Sequence, residues 1–155
     1  MTPESGEIRW QGAQIRSLAE EYSRSVTYIG HRIAVKEELS SLENLRISSG
    51  LTGTEISIAE AQEVLARLGL AGRENLPARF LSEGQRRRSA LARLLTCNTK
   101  LWLLDEVLAS LDHAASTLIE SIIGEHLKKG GIAIVATHQE LHITAGSFQR
   151  LELAS

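Results

Sequence analysis

The sequence has few of the residues that define several protein classes. Its 155 residues contain a single cysteine, Cys97, which excludes an internal disulfide and a cysteine-built zinc site and fits a reducing compartment. The longest apolar stretches, 101–104 and 132–136, are far shorter than the ~18 residues that a membrane-spanning helix needs. Residues 1–5 have neither a basic region nor an apolar run, so no secretory signal is predicted. We therefore expect a soluble, cytoplasmic chain that contacts membranes through a partner.

An excess of charge of one sign is also absent. The 17 Lys and Arg residues against 19 Asp and Glu residues give a net charge of -2, so we predict no nucleic-acid partner. The local basic run at residues 86–88 is interpreted as a solvated helix face, with a docking surface as the alternative. Hydrophobic residues make up 43% and charged residues 23%, which is typical of one globular domain, or part of a larger one, with a buried core.

A third absence concerns nucleotide chemistry. The sequence contains no G-x-x-x-x-G-K-[ST] loop, the segment whose backbone amides and lysine hold phosphates. Residues 81–85 (LSEGQ) nevertheless predict a glycine-containing helix start, and residues 101–106 (LWLLDE) predict an apolar strand that ends in two carboxylates. These are parts of a nucleotide-phosphate site without the part that grips the phosphates.

The remaining pattern predicts an α/β fold. The continuous apolar runs at 101–104 and 132–136 are expected of parallel strands covered on both faces. A further strand is predicted at 26–29, and helices at 16–24, 39–50 and 82–96. Another helix, capped by Ser57, has a predicted buried face of Ile58, Ala61, Leu65 and Leu68. The crossover helix before the last strand buries Leu118, Ile119, Ile122, Ile123 and Leu127 and ends at two glycines.

The helix start near residue 82 has two interpretations. Ser82 and Gln85 have the spacing of a capping box, in which each side chain bonds the other residue's backbone amide. A serine hydroxyl, the close backbone approach that Gly84 allows, and free amides also make a helix start an anion site. Both interpretations stay open at this stage.

Ligands of parallel sheets bind beyond the carboxyl ends of the strands, where Asp105, Glu106 and His138 are expected. Asp105 can hold Mg²⁺ through its water shell and Glu106 can orient an attacking water, although a solvated acidic pair is the alternative. His138 can donate a hydrogen bond to a terminal phosphate, but a lone histidine is commonly a surface residue. A zinc site with His142 lacks the H-E-x-x-H order. Asp112 has the position of an N-cap.

Residues 81–85, 101–106, 109–112 and 136–138 resemble, in order and spacing, the signature motif, Walker B strand, D-loop and switch histidine of the ATP-binding-cassette family. The resemblance implies a single, incomplete domain over 1–155 with a partial P-loop NTPase fold. Its parallel core would contain a helical subdomain at about 36–96 and continue as the C-terminal part of a RecA-like core at about 97–155. The implied cofactors are ATP and Mg²⁺. The implied roles are metal binding through water for Asp105, catalysis for Glu106 and His138, and nucleotide binding for Ser82, Gly84, Gln85 and Asp112.

A closer resemblance is to the ATP-binding subunits of the haem exporter in cytochrome c maturation. It is carried by residues 5–12, 28–31, 39–45, 68–72, 87–93 and 137–139. This resemblance implies a peripheral protein on the cytoplasmic face of the inner membrane that couples ATP hydrolysis to haem export. Its implied partners are an identical or second cassette subunit, in a two-fold dimer, and membrane-embedded transporter subunits.

The sequence departs from the family in three places. The family's phosphate loop would precede residue 1, so we expect an N-terminally shortened chain that binds no ATP usefully alone. Arg32 stands where the family has a glutamine that senses metal and nucleotide, and Val107 replaces a proline. The alternatives are a non-catalytic cassette remnant, a subunit of another transporter, and a DNA-repair ATPase. The net charge of -2 and the lack of coiled-coil heptads disfavour the last.

Overall fold

A computed structural model describes residues 5–152 of the chain. Residues 1–4 and 153–155 lie outside the described residues. The first range belongs to the N-terminal stretch for which no secretory signal is predicted, and the second ends the predicted C-terminal core segment. Among residues 5–152, no helix is both long and apolar enough to cross a membrane. In chain order the elements are β1 (Arg9–Trp10), β2 (Ala13–Gln14), α1 (Ile15–Ser25), β3 (Val26–Ile29), α2 (Ser41–Leu51), α3 (Ile58–Arg67), a 3-10 turn (Ala78–Phe80), α4 (Glu83–Leu91), α5 (Arg93–Thr96), β4 (Leu101–Asp105), α6 (His113–Lys128) and β5 (Ile132–Ala136).

Three strands form the parallel sheet that carries the candidate site, in the order β3-β4-β5. Val26 is in register with Leu101, which is in register with Ile132. The crossover helix α6 joins β4 to β5, and helices α2 to α5 lie between β3 and β4 in the chain. The predicted α/β class and the strand-helix-strand unit are therefore confirmed.

Among the described residues, one face of this sheet is well covered and the other is largely open, although Leu101 of β4 is buried on the second face. Successive side chains of a strand point to opposite faces, so Trp102 and Leu104 share the covered face and belong to the main core cluster. On the opposite face Tyr28, Ile132 and Ile134 are 57%, 44% and 59% exposed. The prediction that β5 is covered on both faces is wrong, because Ile132 and Ile134 are exposed on its second face. The apolar run at 132–136 is nevertheless a parallel strand.

The crossover helix α6 packs against the sheet face that carries Trp102 and Leu104. Ile119, Ile122 and Ile123 are buried, and Leu118 and Leu127 pack partly buried against the same core. The helix ends at Lys128, and a glycine at position 130 with φ of 80° turns the chain toward β5. The predicted buried face and the glycine stop are both confirmed.

Helix α3 confirms its predicted cap and most of its predicted buried face. The Ser57 hydroxyl accepts a hydrogen bond from the Glu60 amide at 3.2 Å, while the Glu60 carboxylate accepts one from the Ser57 amide at 2.8 Å. Ala61, Leu65 and Leu68 are fully buried. Ile58 is 52% exposed, so its predicted burial is wrong. It is the first residue of the helix and lies outside the core cluster.

Two other helices differ in detail from the pattern. The helix predicted at 82–96 is divided at Ala92 into α4 and α5. Helix α1 forms where it was predicted, but Ala19 within it has a φ of 35°, so its backbone leaves the helical region at that residue. Neither difference moves the residues of the candidate site.

A stacked ring pair joins α6 to β4. His126 lies flat on Trp102, with the ring centroids 3.8 Å apart and the planes inclined by 5°. Its Nε2 atom is 3.3 Å from the carbonyl oxygen of Ile132. Burial lowers the pKa of His126 below 6.5, with a smaller contribution from the Lys129 charge, and this outweighs the opposing effect of the Ile132 and Lys100 carbonyls. The neutral imidazole is therefore the form that the fold favours.

We expect acidification to destabilise the fold through His126. Because its pKa is lower in the folded state, the unfolded chain binds the proton more tightly. The stability that neutral His126 contributes to the fold is fully present above pH 6.5, and it is lost as the pH falls toward the folded-state pKa of His126. His126→Phe keeps an aromatic ring on Trp102 but does not titrate. Urea unfolding at about pH 7.5 and about pH 5.5 should give a free-energy difference, native minus variant, that falls at the lower pH. A difference that stays constant or rises would contradict this account.

Candidate functional site

The carboxyl ends of β4 and β5 bring two predicted site residues into contact. Asp105 is the last residue of β4 and pairs in register with Ala136, and the Glu106 amide continues the ladder by donating to the Ala136 carbonyl at 2.8 Å. This register places the Glu106 carboxylate beside the imidazole of His138, just after β5. The Nδ1 atom is 3.1 Å from Oε1 and 3.0 Å from Oε2, but only Oε1 has the geometry of a hydrogen bond.

Glu106 is held in an unusual backbone conformation. Its φ is 51°, in the left-handed region that residues with a Cβ rarely adopt. Its carbonyl oxygen accepts hydrogen bonds from the Ala109 amide and from the Arg87 guanidinium, both at 3.1 Å. Its Oε2 atom is buried and accepts no hydrogen bond from any residue between 5 and 152. A buried carboxylate oxygen with a free acceptor site suits a water or cation ligand.

The start of α4 forms the predicted capping box. The Ser82 hydroxyl accepts from the Gln85 amide at 3.3 Å, and the Ser82 amide donates to the Gln85 side-chain oxygen at 3.0 Å. Helices α2 and α3 begin with the same box, but their third residues are Glu43 and Glu60, whose pKa values are lowered by these backbone hydrogen bonds. A carboxylate therefore already occupies those two starts, whereas the capping partner in α4 is neutral and leaves its free amides available to an external anion.

The α4 start packs against the loop that follows β4. A Cβ atom at Gly84 would lie 3.1 Å from the carbonyl oxygen of Ser110, so a glycine fits this close approach best. The Ser110 hydroxyl donates to the Glu83 carboxylate at 2.6 Å. This hydrogen bond ties the one carboxylate in the first turn of α4 to the loop.

Asp112 ends this loop as the N-cap of α6. Its carboxylate accepts a hydrogen bond from the Ala115 amide at 2.8 Å, and its side chain is exposed. The capping interpretation of Asp112 is confirmed. Exposure leaves a second carboxylate oxygen able to accept a hydrogen bond from another group.

The predicted residues thus form two groups. Asp105, Glu106 and His138 lie together at the strand ends, and Ser82, Gly84 and Gln85 form the α4 start. No hydrogen bond or ion pair between residues 5 and 152 joins Ser82 to Asp105, Glu106 or His138. The loop at 106–112 joins the end of β4 to the α4 start through the hydrogen bond between Ser110 and Glu83.

The structure also places a cleft beside the strand ends. Its volume is about 690 Å³, and it is lined by residues 28–34, Arg87, Ala90, Arg93 and Asp105. Arg32, the residue that departs from the family pattern, is in this lining, so a guanidinium shares the cleft with the Asp105 carboxylate. A cation there competes with a divalent metal for the carboxylate and favours an anion in the cleft.

The donor set fits a hydrated Mg²⁺ ion better than zinc. Carboxylate oxygens of Asp105 and Glu106 are the hard ligands that Mg²⁺ prefers. Among residues 5–152, no three His, Cys, Asp or Glu side chains are grouped to hold a metal. A Mg²⁺ ion at the strand ends would therefore take most of its ligands from water or phosphate, and a zinc site with His142 has no support.

The prediction that residues 86–88 form a solvated helix face is wrong for Arg87. This residue is only 4% exposed and its guanidinium faces backbone carbonyls. Burial lowers the pKa of Arg87, while the carboxylates of Glu83, Asp105 and Glu106 raise it. Helical spacing contains the missed signal, because Arg87 lies on the same face as the buried Leu91 and Leu94, four and seven residues on.

Comparison with known proteins gives the family. The model of the ABC transporter family matches residues 1–109. A protein of Nitrosospira multiformis named cytochrome c biogenesis ATP-binding export protein CcmA is 51% identical over 152 residues, which cover 98% of this chain and 74% of that protein. The protein of the same name from Nitrosomonas europaea is also 51% identical, over 98% of this chain and 71% of its own length.

Solved structures agree on the fold. A putative ABC transporter ATP-binding protein from Pyrococcus furiosus superposes with a TM-score of 0.77 at 22% identity, covering 94% of this chain and 70% of that one. A dimeric ATP-binding cassette in a post-hydrolysis state, bound to ADP and Pi, gives 0.76 at 22% identity, over 90% and 65% of the two chains. At such identities the likeness concerns the fold alone.

Proposed function

The chain belongs to the ABC transporter family, and from that membership we propose that it is the ATP-binding subunit of a transporter that serves cytochrome c biogenesis. The observation that carries the proposal is the Glu106–His138 contact at the carboxyl ends of adjacent parallel strands. The relatives' shared name supports the pathway, and the resemblance noted above supports haem as the cargo. We place the subunit at the cytoplasmic face of the inner membrane, on membrane-embedded partners.

We assign the chain two parts, a helical subdomain at about 36–96 and the C-terminal part of the core at about 97–155. The 155 residues contain no phosphate loop, so the nucleotide phosphates need such a loop from outside these residues, in the same polypeptide or in a partner. In a two-fold arrangement of cassettes, each nucleotide would be shared, because the α4 start of one cassette would cover the phosphates held by the loop of the other. The separation of Ser82 from Glu106 and His138 supports that arrangement.

The residues at the strand ends would act on the terminal phosphate and its attacking water. The Glu106 carboxylate would orient the water and accept its proton, and the His138 imidazole would donate a hydrogen bond to the phosphate. Asp105 would hold Mg²⁺ through water, and that ion would neutralise phosphate charge. The free oxygen of Asp112 would contact the opposite cassette.

The α4 start would supply the remaining contacts. The Ser82 hydroxyl, the Gly84 amide and the Gln85 side chain would face the phosphates across the dimer. ATP then stabilises the closed dimer because it binds both halves at once, and hydrolysis removes that differential affinity. This cycle would drive the membrane subunits.

Ser82→Arg tests the role of the α4 start. In an assembly of this chain with its membrane subunits and a cassette that carries a phosphate loop, we expect ATP turnover to fall about 10²-fold, because the bulky side chain removes a preorganised donor from the phosphates. The measurement is the steady-state rate of phosphate release at saturating ATP.

Ser57→Arg is the matched control for this variant. Both substitutions remove the serine of a capping box, and each is expected to cost about 1 kcal/mol of stability. Only Ser82→Arg should lower ATP turnover. Equal losses of turnover in the two variants would mean that the effect arises from stability, and the proposed role of the α4 start would then be rejected.

A second function is favoured by one observation, the arginine at position 32 in the cleft beside Asp105. The chain would then be a non-catalytic cassette that lends its α4 start to a complete subunit. Under this alternative Ser82→Arg still abolishes stimulation of the partner, but changes at Glu106 have no effect on turnover. The two functions are therefore separable by comparing those variants.

A further inference from the structure

The Arg87 guanidinium lies where three segments of the chain meet. It donates to the His31 carbonyl at 2.9 Å and to the Glu106 carbonyl at 3.1 Å. Two longer contacts of 3.5 Å reach the carbonyls of Gly30 and Ala109. The acceptors belong to the segment after β3 and to the loop after β4, whereas Arg87 itself is in α4. One side chain thus links α4 to the segment 30–34, which lines the cleft, and to the loop that follows Asp105.

The chemistry of this junction suits arginine specifically. A guanidinium has five N–H donors in a rigid plane and no acceptor, so it can serve several carbonyls in different directions. A lysine ammonium has three donors at one point and reaches fewer carbonyls separated in this way. Replacement of Arg87 by an apolar side chain would remove a buried donor from the carbonyls of His31 and Glu106, and the loss of such a hydrogen bond is costly.

The Glu106 carbonyl is the acceptor with the clearest consequence. Glu106 has a left-handed φ of 51°, a conformation that persists only where its surroundings hold it. Rotation of that peptide would swing the carboxylate away from His138, which lies 3.1 Å from it. The hydrogen bond from Arg87 opposes the rotation, and the hydrogen bond from the Ala109 amide to the same oxygen acts with it.

We propose that Arg87 is a positioning residue. It couples the position of α4 to the orientation of the Glu106 carboxylate and to the position of the segment 30–34 within the same chain. A shift of α4 on contact with the opposite nucleotide moves the guanidinium and therefore moves both backbone segments. The inference rests on the proposed function for its catalytic meaning. The coupling itself is a property of the free chain and is measurable there.

The first test is amide hydrogen exchange on the full chain. Arg87→Met removes the donors but keeps an unbranched, apolar side chain that can occupy the space of the arginine stem. We expect exchange to accelerate at least about tenfold in segments 30–34 and 106–111, while α3 and α6 change little. Arg87→Lys keeps the charge and should give an intermediate acceleration, and it remains informative if the methionine variant folds poorly.

Arg88→Met is the matched control. Arg88 is the neighbouring, half-buried arginine, and its guanidinium donates to the carbonyls of Leu68 and Gly69 at 2.9 and 3.4 Å, away from both segments. Exchange in 30–34 and 106–111 should stay at the native rate in this variant. Unchanged exchange in Arg87→Met, or equal acceleration in the two methionine variants, would overturn the proposal.

The second test separates positioning from simple structural support. In the assembled transporter, Arg87→Met should lower kcat for ATP by about 10²-fold, because a misplacement of about 1 Å at the reacting group has that effect, and should leave KM within about twofold. Arg87→Lys should recover part of kcat. A matching rise in KM with unchanged kcat would overturn the positioning role. If Glu106 has no part in turnover, the exchange result still stands and only the proposed function fails.

Discussion

Glu106→Gln is expected to lower ATP turnover in the assembled transporter by about 10²–10⁴-fold, the usual loss when a general base is removed. The amide keeps the size and most of the packing of the carboxylate but cannot accept a proton from water. The hydrogen bond between Glu106 and His138 can survive as an amide–imidazole contact, so the local structure should persist. Phosphate release at saturating ATP measures the loss, and equilibrium nucleotide binding should be retained.

Glu140→Gln is the control for this prediction. Glu140 is an exposed residue two positions beyond His138, and it forms no hydrogen bond or ion pair among the described residues. Turnover in that variant should equal the native rate. If Glu106→Gln retains turnover within about threefold of native, Glu106 is not the base. The non-catalytic alternative, in which only the α4 start matters, would then be preferred.

The helix caps of the candidate site could be predicted from the sequence because each cap is formed by residues only a few positions apart. The serine and glutamine of the box at 82–85 are three residues apart, and Asp112 caps the helix that begins at the next residue. The meeting of Glu106 with His138 needed one further rule, that parallel neighbouring strands end at the same edge of the sheet. No long-range contact beyond the strand pairing was required.

Arg87 could not be placed in the same way because its acceptors are distant in sequence. The His31 carbonyl is 56 residues away and the Glu106 carbonyl is 19 residues away. A run of three arginines is ordinarily solvated. Helical spacing places Arg87 on the face of the buried Leu91, but it does not show which backbone carbonyls the guanidinium contacts. The left-handed φ of Glu106 was equally hidden, since nothing in its residue type favours that conformation.

The open face of the sheet shows a feature of the fold that the hydrophobic pattern of the sequence could not predict. An apolar run such as 132–136 indicates that both faces of a strand can be covered. It does not indicate that both faces are covered by other residues of the same 155-residue chain. Ala133 and Val135 pack against the core, whereas Ile132 and Ile134 face outward. The packing energy of β5 therefore comes mainly from one side.

This one-sided packing gives the second large prediction. Ile119→Ala removes a fully buried side chain of α6 from the cluster that contains Trp102 and Leu104, and should lower the free energy of unfolding by about 2–5 kcal/mol. Ile134→Ala makes the same chemical change on the open face, where the side chain is 59% exposed, and should cost less than about 1 kcal/mol. Urea unfolding of both variants measures the contrast. Equal costs would show that the outer face of β5 is also packed in solution, which would contradict its one-sided packing.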